Sequence, residues 1–352
     1  MLNTNHPPLV APMASISSPR RRLGLWLPIV IVSLLLAMVP LVALALDEPF
    51  LLRVFARVIV FAIAAVSLNL LLGFAGLISV MHAAMLGLGG YVVAILAMHA
   101  EDPSAGGLLS ALGTTNLLVA APIAILIAAA ASAVLGMVAL RTRGAYFIMI
   151  TLAFNQMLYY LFISLDQYGG DEGLQVSASL HLAGLDLQNR TTVYFLCLAS
   201  LVAVLVFCQR LVRSRFGVVM RACAGNERRV SSVGLNPARY QLAALTIAGA
   251  IAGLSGVLLA LTQQFVSPAD LAWTRSGELV VMVVLGGMTT IWGPVVGATV
   301  FLLLELQLST MTIHWQLPFG ILIILMVAFL RTGLSGIGQS LLLHMKNKVD
   351  HD

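Results

Sequence analysis

The stretch LLVAAPIAILIAAAASAVLGMVAL, Leu117–Leu140, contains no charged residue from one end to the other. About 20 apolar residues carry an α-helix across a hydrocarbon core of about 30 Å, and helices buried inside soluble proteins are usually shorter. Gly24–Leu46 and Val54–Gly73 have the same character, with few or no charges. The surrounding chain agrees: of 352 residues, 60% are hydrophobic and 9% charged, with a mean hydropathy of +1.00. Soluble domains average about 25% charged residues, and so few charges cannot cover a water-facing surface. The sequence therefore predicts an all-α, polytopic helical membrane protein.

Apolar segments fall at 24–46, 51–73, 75–98, 116–140, 144–165, 191–209, 239–264, 277–290, 292–309 and 316–331. They predict about ten transmembrane helices, within a range of about 8–10. Segments two and three are separated by little more than Gly73–Gly76, so the chain there turns tightly or breaks within the membrane. The eighth segment is short enough to be re-entrant. With the N-terminus in the cytoplasm, the inner segments hold Arg20–Arg22, Arg141, Arg143, the arginines between 210 and 239, Arg331, Lys346 and Lys348, whereas the outer loops hold only Arg190 and Arg275. That bias follows the positive-inside rule, and ten spans place both termini in the cytoplasm. The run Leu23–Leu46 is longer than the 7–15 residues of a signal-peptide core, which makes it a first anchor. Residues 1–23 read as a disordered cytoplasmic tail and 336–352 as a cytoplasmic C-terminal tail. The net charge of +5 sits in short loops, not in a basic soluble domain, which argues against nucleic acid as a partner. Cys197, Cys208 and Cys223 lack metal-ligand spacing and read as small apolar residues.

Glycine clusters at Gly73, Gly76, Gly87, Gly89 and Gly90, at Gly249, Gly253 and Gly256, and at Gly286, Gly287, Gly293 and Gly297. One reading is close packing of membrane helices through small residues. The other is broken helices lining a substrate path, for which Gly73, Gly76, Gly286 and Gly287 are the candidates. Phe74–Val80 and Ile251–Val257 echo each other in sequence, an echo compatible with two inverted repeats of about five spans.

Arg210–Arg239 is the most polar stretch, with seven arginines and the single acid Glu227. Val219, Ala222/Cys223, Val230 and Val233 recur at helical spacing. They predict one or two short amphipathic helices interrupted at Gly225 and ended near Gly234 and Pro237. Residue chemistry alone leaves three uses open: a positive loop meeting lipid phosphates, a lipid-regulated surface helix, or a helix that docks into a groove on a cytoplasmic partner.

The residues of this loop also carry a resemblance. Ser214-Arg215-Phe216-Gly217-Val218-Val219-Met220-Arg221-Ala222, followed by Gly225-Asn226-Glu227 and Val233-Gly234-Leu235-Asn236, resembles the coupling loop of ABC permeases of the branched-chain amino-acid uptake family, most closely the LivM-type subunit. Leu68–Ser79, Gly144–Phe147 with Thr151–Phe154, Gly169-Gly170-Asp171-Glu172-Gly173-Leu174, and Glu278–Met288 with Trp292–Ala298 are similar to further motifs of that family in the same order. In the outer loop, Tyr168 stands where Thr is common. The resemblance spans most of residues 55–335 and implies a permease domain over 24–335 with a cytoplasmic coupling loop at 210–239. It implies Arg215, Gly217, Arg221, Ala222, Asn226, Glu227 and Gly234 as the contact with an ATPase. It further implies a second permease subunit in a heterodimer, two cytoplasmic ATPase subunits that carry ATP and Mg, a periplasmic binding protein, and residence in a bacterial inner membrane. Branched-chain or related amino acids are the implied substrates, with urea or short amides as the alternative within the family. No Gly-x-x-x-x-Gly-Lys-Ser/Thr occurs in the chain, so no nucleotide cofactor is expected on it by that route.

Polar residues inside apolar segments are functional candidates by default. Asn69, His82, Thr151 and Asn155 are the candidates for the translocation path, against the alternative that they hydrogen-bond helix to helix. Arg53 and Arg57 suit snorkelling to the interface, Glu278 an interfacial site, and Glu305 either a subunit contact or a protonated state. No Ser/His/Asp set, His-Glu-x-x-His or metal-ligand cluster is present in the pattern, so an enzyme is not expected. The remaining transport alternative is an ion-gradient-driven carrier, which would need paired carboxylates or a His–carboxylate relay within the spans.

Overall fold

The computed structural model describes residues 19–45, 48–101, 113–176, 180–182, 187, 189–311, 314, 316–329, 333–334 and 336. The predicted disordered N-terminal tail (but for its last residues), the C-terminal tail beyond residue 336 and Arg331 lie outside the described residues. The helices are α1 Pro19–Ala45, α2 Pro49–Asn69, α3 His82–Glu101, α4 Leu117–Ala139, α5 Ala145–Ile163, α6 Arg190–Arg213, α7 Arg215–Gly225, α8 Glu227–Ser232, α9 Pro237–Gln263, α10 Trp273–Gly286, α11 Gly293–Met311 and α12 Gln316–Phe329. The strands β1 Leu174–Gln175 and β2 Phe265–Val266 form a minimal antiparallel pair, with Leu174 opposite Val266.

The ten predicted apolar segments correspond to α1–α6 and α9–α12. Among the described residues, seven helical stretches, Phe50–Ala75, His82–Glu101, Leu117–Ala139, Ala145–Ile163, Arg190–Arg213, Pro237–Gln263 and Gly293–Met311, have the length and apolarity to cross a membrane. The α10 helix has 14 residues, so at 1.5 Å per residue it is about 21 Å long and falls short of a full crossing.

Two boundaries differ from the sequence reading. The second segment runs on through a π-helical turn, Leu70–Ala75, and the third helix starts only at His82. The eighth helix starts earlier, at Trp273, and stops at Gly286. At the first break neighbouring side chains take up the N–H groups of Val80, Ala83 and Ala84, and at the second Asn69 takes up the Thr290 carbonyl, so helix is not the only way to satisfy these groups. The echoing segments also adopt different conformations. Phe74–Val80 leaves the π turn as irregular chain, whereas Ile251–Val257 lies inside α9, so the echo marks no shared backbone shape.

The α9 helix forms the centre and packs on α2, α3 and α4; α2 also packs on α6 and α11. Residues Val58–Ala65 of α2 are all buried. With lipid outside, the bundle is held by close contact more than by expulsion of water. A Cβ at Gly256 would run into the Leu86 carbonyl oxygen, and one at Gly89 into Gly253. Hydrogen bonds add ties: Ser132 Oγ donates to the Leu245 carbonyl at 2.8 Å and Tyr194 Oη to the Leu36 carbonyl at 2.6 Å. Rings close the edges, with Tyr91 on Phe162 at 4.3 Å and Phe301 on Phe319 at 4.8 Å.

The α6 helix has 24 residues, about 36 Å of helix, and therefore separates two ends of the bundle. Arg143 shares one end with α7 and α8, while Arg190 stands at the other. The charge asymmetry of the sequence is thus an asymmetry in space. At the Arg190 end, the Gly-Gly-x-x-Gly loop turns through Gly169 (φ 86°), Gly170 (φ 48°) and Gly173 (φ 85°) before β1 pairs with β2. Residues with a Cβ rarely adopt such angles, which is why the glycines recur at that spacing.

A polar seam and an open face

The two helix breaks face one another. Gly73, in the π turn after α2, lies directly under the Met288 carbonyl, and the chain then turns at Gly76, whose φ is 68°. Across from it α10 stops at Gly286, which abuts the Gly293 carbonyl, and Gly287 takes φ 105°. Asn69 Nδ2 donates to the Thr290 carbonyl at 2.8 Å and so joins the breaks. Its Oδ1 is buried without a partner among the described residues.

A helix that starts inside a bundle leaves its first N–H groups without intrahelical acceptors. At the start of α3 these donors are met one by one. The Val80 N–H donates to Thr151 Oγ1 at 3.3 Å, Met81 to Ser79 Oγ at 3.4 Å, Ala83 to Ser276 Oγ at 3.0 Å and Ala84 to Asn155 Oδ1 at 3.0 Å. Asn155 Nδ2 in turn donates to the Leu271 carbonyl at 2.7 Å, so one amide holds both α3 and the turn Pro268–Leu271. His82 Nε2 lies 3.0 Å from Ser67 Oγ.

Asn69, His82, Thr151 and Asn155 are all buried in this conformation. The structure gathers Thr151, Asn155 and His82 around the start of α3, and places Asn69 at the end of α2, where it ties the first break to the second. Ser276, which shares their work, escaped the sequence reading because it sits among ordinary polar residues at the start of α10.

A second cluster was only partly visible in sequence. Arg57 pairs with Glu305 at 3.5 Å, and Arg275 with Glu278 at 2.7 Å and Asp270 at 3.8 Å. Both guanidinium groups lie over the Phe61 ring, at 5.6 and 5.4 Å from its centroid. Glu305 therefore has a counter-ion within its own chain, where the sequence pointed to a subunit contact or a protonated acid. Residues more than 200 positions apart supply the pair, which no local spacing reveals.

The arginine-rich segment forms two helices, α7 and α8, where its periodicity predicts one or two. Ser214 Oγ accepts from the Gly217 N–H at 3.4 Å to cap α7, and Asn226 Oδ1 from the Arg229 N–H at 3.1 Å to cap α8. Gly217 packs against the Val212 carbonyl, and Arg221 donates to the Gly217 and Val212 carbonyls, each at 3.3 Å. Gly234, at φ 86°, then turns the chain into α9. Glu227 points back into the bundle: it pairs with Arg143 at 3.3 Å and accepts from Gln241 Nε2 at 2.8 Å. Ala224 rests on Gly76, which links α7 directly to the first helix break. Burial, reinforced by the Glu227 charge, pushes the Cys223 thiol above its ordinary value, so it stays a neutral packing group.

The opposite face of this segment is open. Arg215 and Ala222 are exposed, as are Val218 and Val233. Between α7 and α8 runs a groove of about 590 Å³ floored by Val219, Val230 and Leu235 and edged by Asn226 and Arg229. A second cavity of about 390 Å³ lies behind Glu227, between Leu77, Arg143, Phe147 and Gln241.

Comparison with known proteins follows the same lines. Residues 50–330 match the family model described as branched-chain amino acid transport system / permease component. The chain is 28% identical over 328 residues to the high-affinity branched-chain amino acid transport system permease protein LivM of Escherichia coli strain K12, covering 85% of this chain and 74% of that protein. It is 28% identical over 299 residues to the protein of the same name from Salmonella typhimurium strain LT2, covering 78% of this chain and 67% of that one. No solved structure matches.

Proposed function

This chain belongs to the branched-chain amino acid transport system permease component family, and from that premise we propose that it is the translocating subunit of an ATP-driven importer of branched-chain or related amino acids. Multi-pass membrane insertion and a permease role follow from the family and the apolar helices. The importer reading rests above all on the α7–α8 face. It exposes valines and arginines outward while Ala224 touches Gly76 and Glu227 grips Arg143 and Gln241, so force on the face reaches the helix break.

In this reading two cytoplasmic ATPase subunits hold ATP and Mg, one of them seated on the groove between α7 and α8. Arg215, Ala222 and Asn226 then meet the partner, while Gly217, Arg221, Glu227 and Gly234 keep the segment in shape. A second permease subunit covers the exposed stripe Tyr146, Met149, Met157 and Tyr160 of α5, whose other face carries Thr151 and Asn155. Asn69, His82, Thr151 and Asn155 come to line the path when the breaks at Gly73–Gly76 and Gly286–Gly287 shift. A periplasmic binding protein delivers the solute to the Arg190 end, the membrane is the bacterial inner membrane, and both termini are cytoplasmic.

An ion-gradient carrier would draw on carboxylates free to titrate, and Asp270, Glu278 and Glu305 each face an arginine. The test is reconstitution in liposomes with candidate ATPases and a binding protein. Leucine, isoleucine or valine uptake should require ATP; uptake that ignores ATP and follows a proton or sodium gradient would overturn the proposal, and ATP-dependent uptake of urea or acetamide alone would change its substrate.

A further inference from the structure

Four arginines stand on the half of the bundle away from α7 and α8: Arg53, Arg57, Arg190 and Arg275. Two are matched by carboxylates, Arg57 by Glu305 and Arg275 by Asp270 and Glu278. The other two, Arg53 and Arg190, pair with no carboxylate among the described residues, yet both open on one cavity. This cavity, of about 470 Å³, lies between the start of α2, the start of α6 and the end of α9. Its size falls in the roughly 300–1,000 Å³ range of small-molecule sites and is far below what a protein lobe would fill.

The lining has two characters. Leu52, Ala56 and Val193 give an aliphatic wall on membrane-crossing helices, while the rim is polar and includes Gln264. Gln264 is the one non-glycine residue with positive φ among the described residues, at 52°. Arg57 also borders the cavity, and its Nε is buried without a hydrogen-bond partner among the described residues.

We propose that this cavity binds the phosphate of an anionic glycerophospholipid. The guanidinium forks of Arg53 and Arg190 match the oxygens of a phosphate, which accept two parallel hydrogen bonds from one arginine. The first acyl carbons then run along Leu52, Ala56 and Val193. Arginines near helix ends reach the head-group level, and basic pockets between transmembrane helices bind anionic head groups. An aliphatic wall directly below the arginines favours a lipid over a soluble anion. This site is independent of the transported solute.

The full-length protein, purified in mild detergent, is examined by native mass spectrometry and thermal melting with phosphatidylglycerol, phosphatidylcholine or inorganic phosphate. Phosphatidylglycerol should be retained and should raise Tm more than phosphatidylcholine. The R53Q/R190Q double variant should bind it at least about tenfold more weakly, since two charge-assisted contacts are lost. The R53K/R190K variant, with its charge intact, and the single R53Q and R190Q variants check that any loss is not misfolding. Unchanged retention by R53Q/R190Q overturns the site. Equal protection by inorganic phosphate overturns its lipid character. Retained lipid with weakened capture of the binding protein reassigns the arginines to protein docking.

Discussion

The start of α3 and the α7–α8 segment are both polar interruptions of an apolar chain, and the fold treats them in opposite ways. At α3 the N–H groups of Val80, Met81, Ala83 and Ala84 are each taken by a buried hydroxyl or amide. At α7–α8 the internal bonds go to capping and to the Arg143–Glu227–Gln241 tie, and the rest of the surface is left open. The difference follows from solvent. In hydrocarbon an unmet backbone group costs several kcal/mol, so a break there must be closed from within. Beyond the membrane, water meets spare groups, and side chains are free to serve a partner.

This contrast is most sharply tested at Asn155. Replacing it with alanine strips acceptors and donors from Ala84 and Leu271 at once, and a buried group left unmet costs about 1–3 kcal/mol. We expect N155A to lose about 2 kcal/mol or more, read by thermal melting in detergent; a melting curve equal to wild type would remove the seam as a structural element. Thr151→Val, whose bond to Val80 is longer at 3.3 Å, should cost less than N155A.

Gly76→Val probes the link between the two regions. Its left-handed backbone disfavours a branched side chain by about 1–2 kcal/mol, and Ala224 stands where the new Cβ would go. Stability should fall moderately while ATP-driven uptake falls further. If both fall in proportion, Gly76 only supports the fold.

The α7–α8 face should show the smallest stability effects. Glu227→Gln should shift stability by less than about 1 kcal/mol, because Arg143 is largely exposed and such pairs are weak, yet uptake should drop several-fold with membrane insertion intact. Val233→Asp, on a side chain that is 75% exposed, should leave melting unchanged and weaken co-purification of the ATPase. Normal ATPase association would show that the partner sits elsewhere.

Legibility followed how local each signal was. The interruption at Gly225 and the turn at Gly234 were visible because their causes lie within a few residues. The late start of α3 was not: Ala75–Met81 belongs to an apolar run with no charge, and Thr151, Asn155 and Ser276, all from other segments, supply the acceptors around the helix start. The four polar residues proposed for the path were found by composition. That three of them gather at one helix start, and that Asn69 ties the two breaks together, depends on the packing of α5 and α10 against α3.

By itself the sequence determined membrane residence, ten apolar segments, the uneven spread of arginines and the amphipathic helical character of the Arg-rich loop. Each follows from hydropathy, charge or short periodicity, quantities that a segment possesses before it meets any other. The tertiary structure alone decided where helices break, that Glu305 answers Arg57, that Glu227 turns inward, and that Arg53 and Arg190 share a cavity. In an apolar bundle any smooth helix face packs acceptably on another. The few polar groups therefore decide the register, and which of them meet is settled only when distant helices come together.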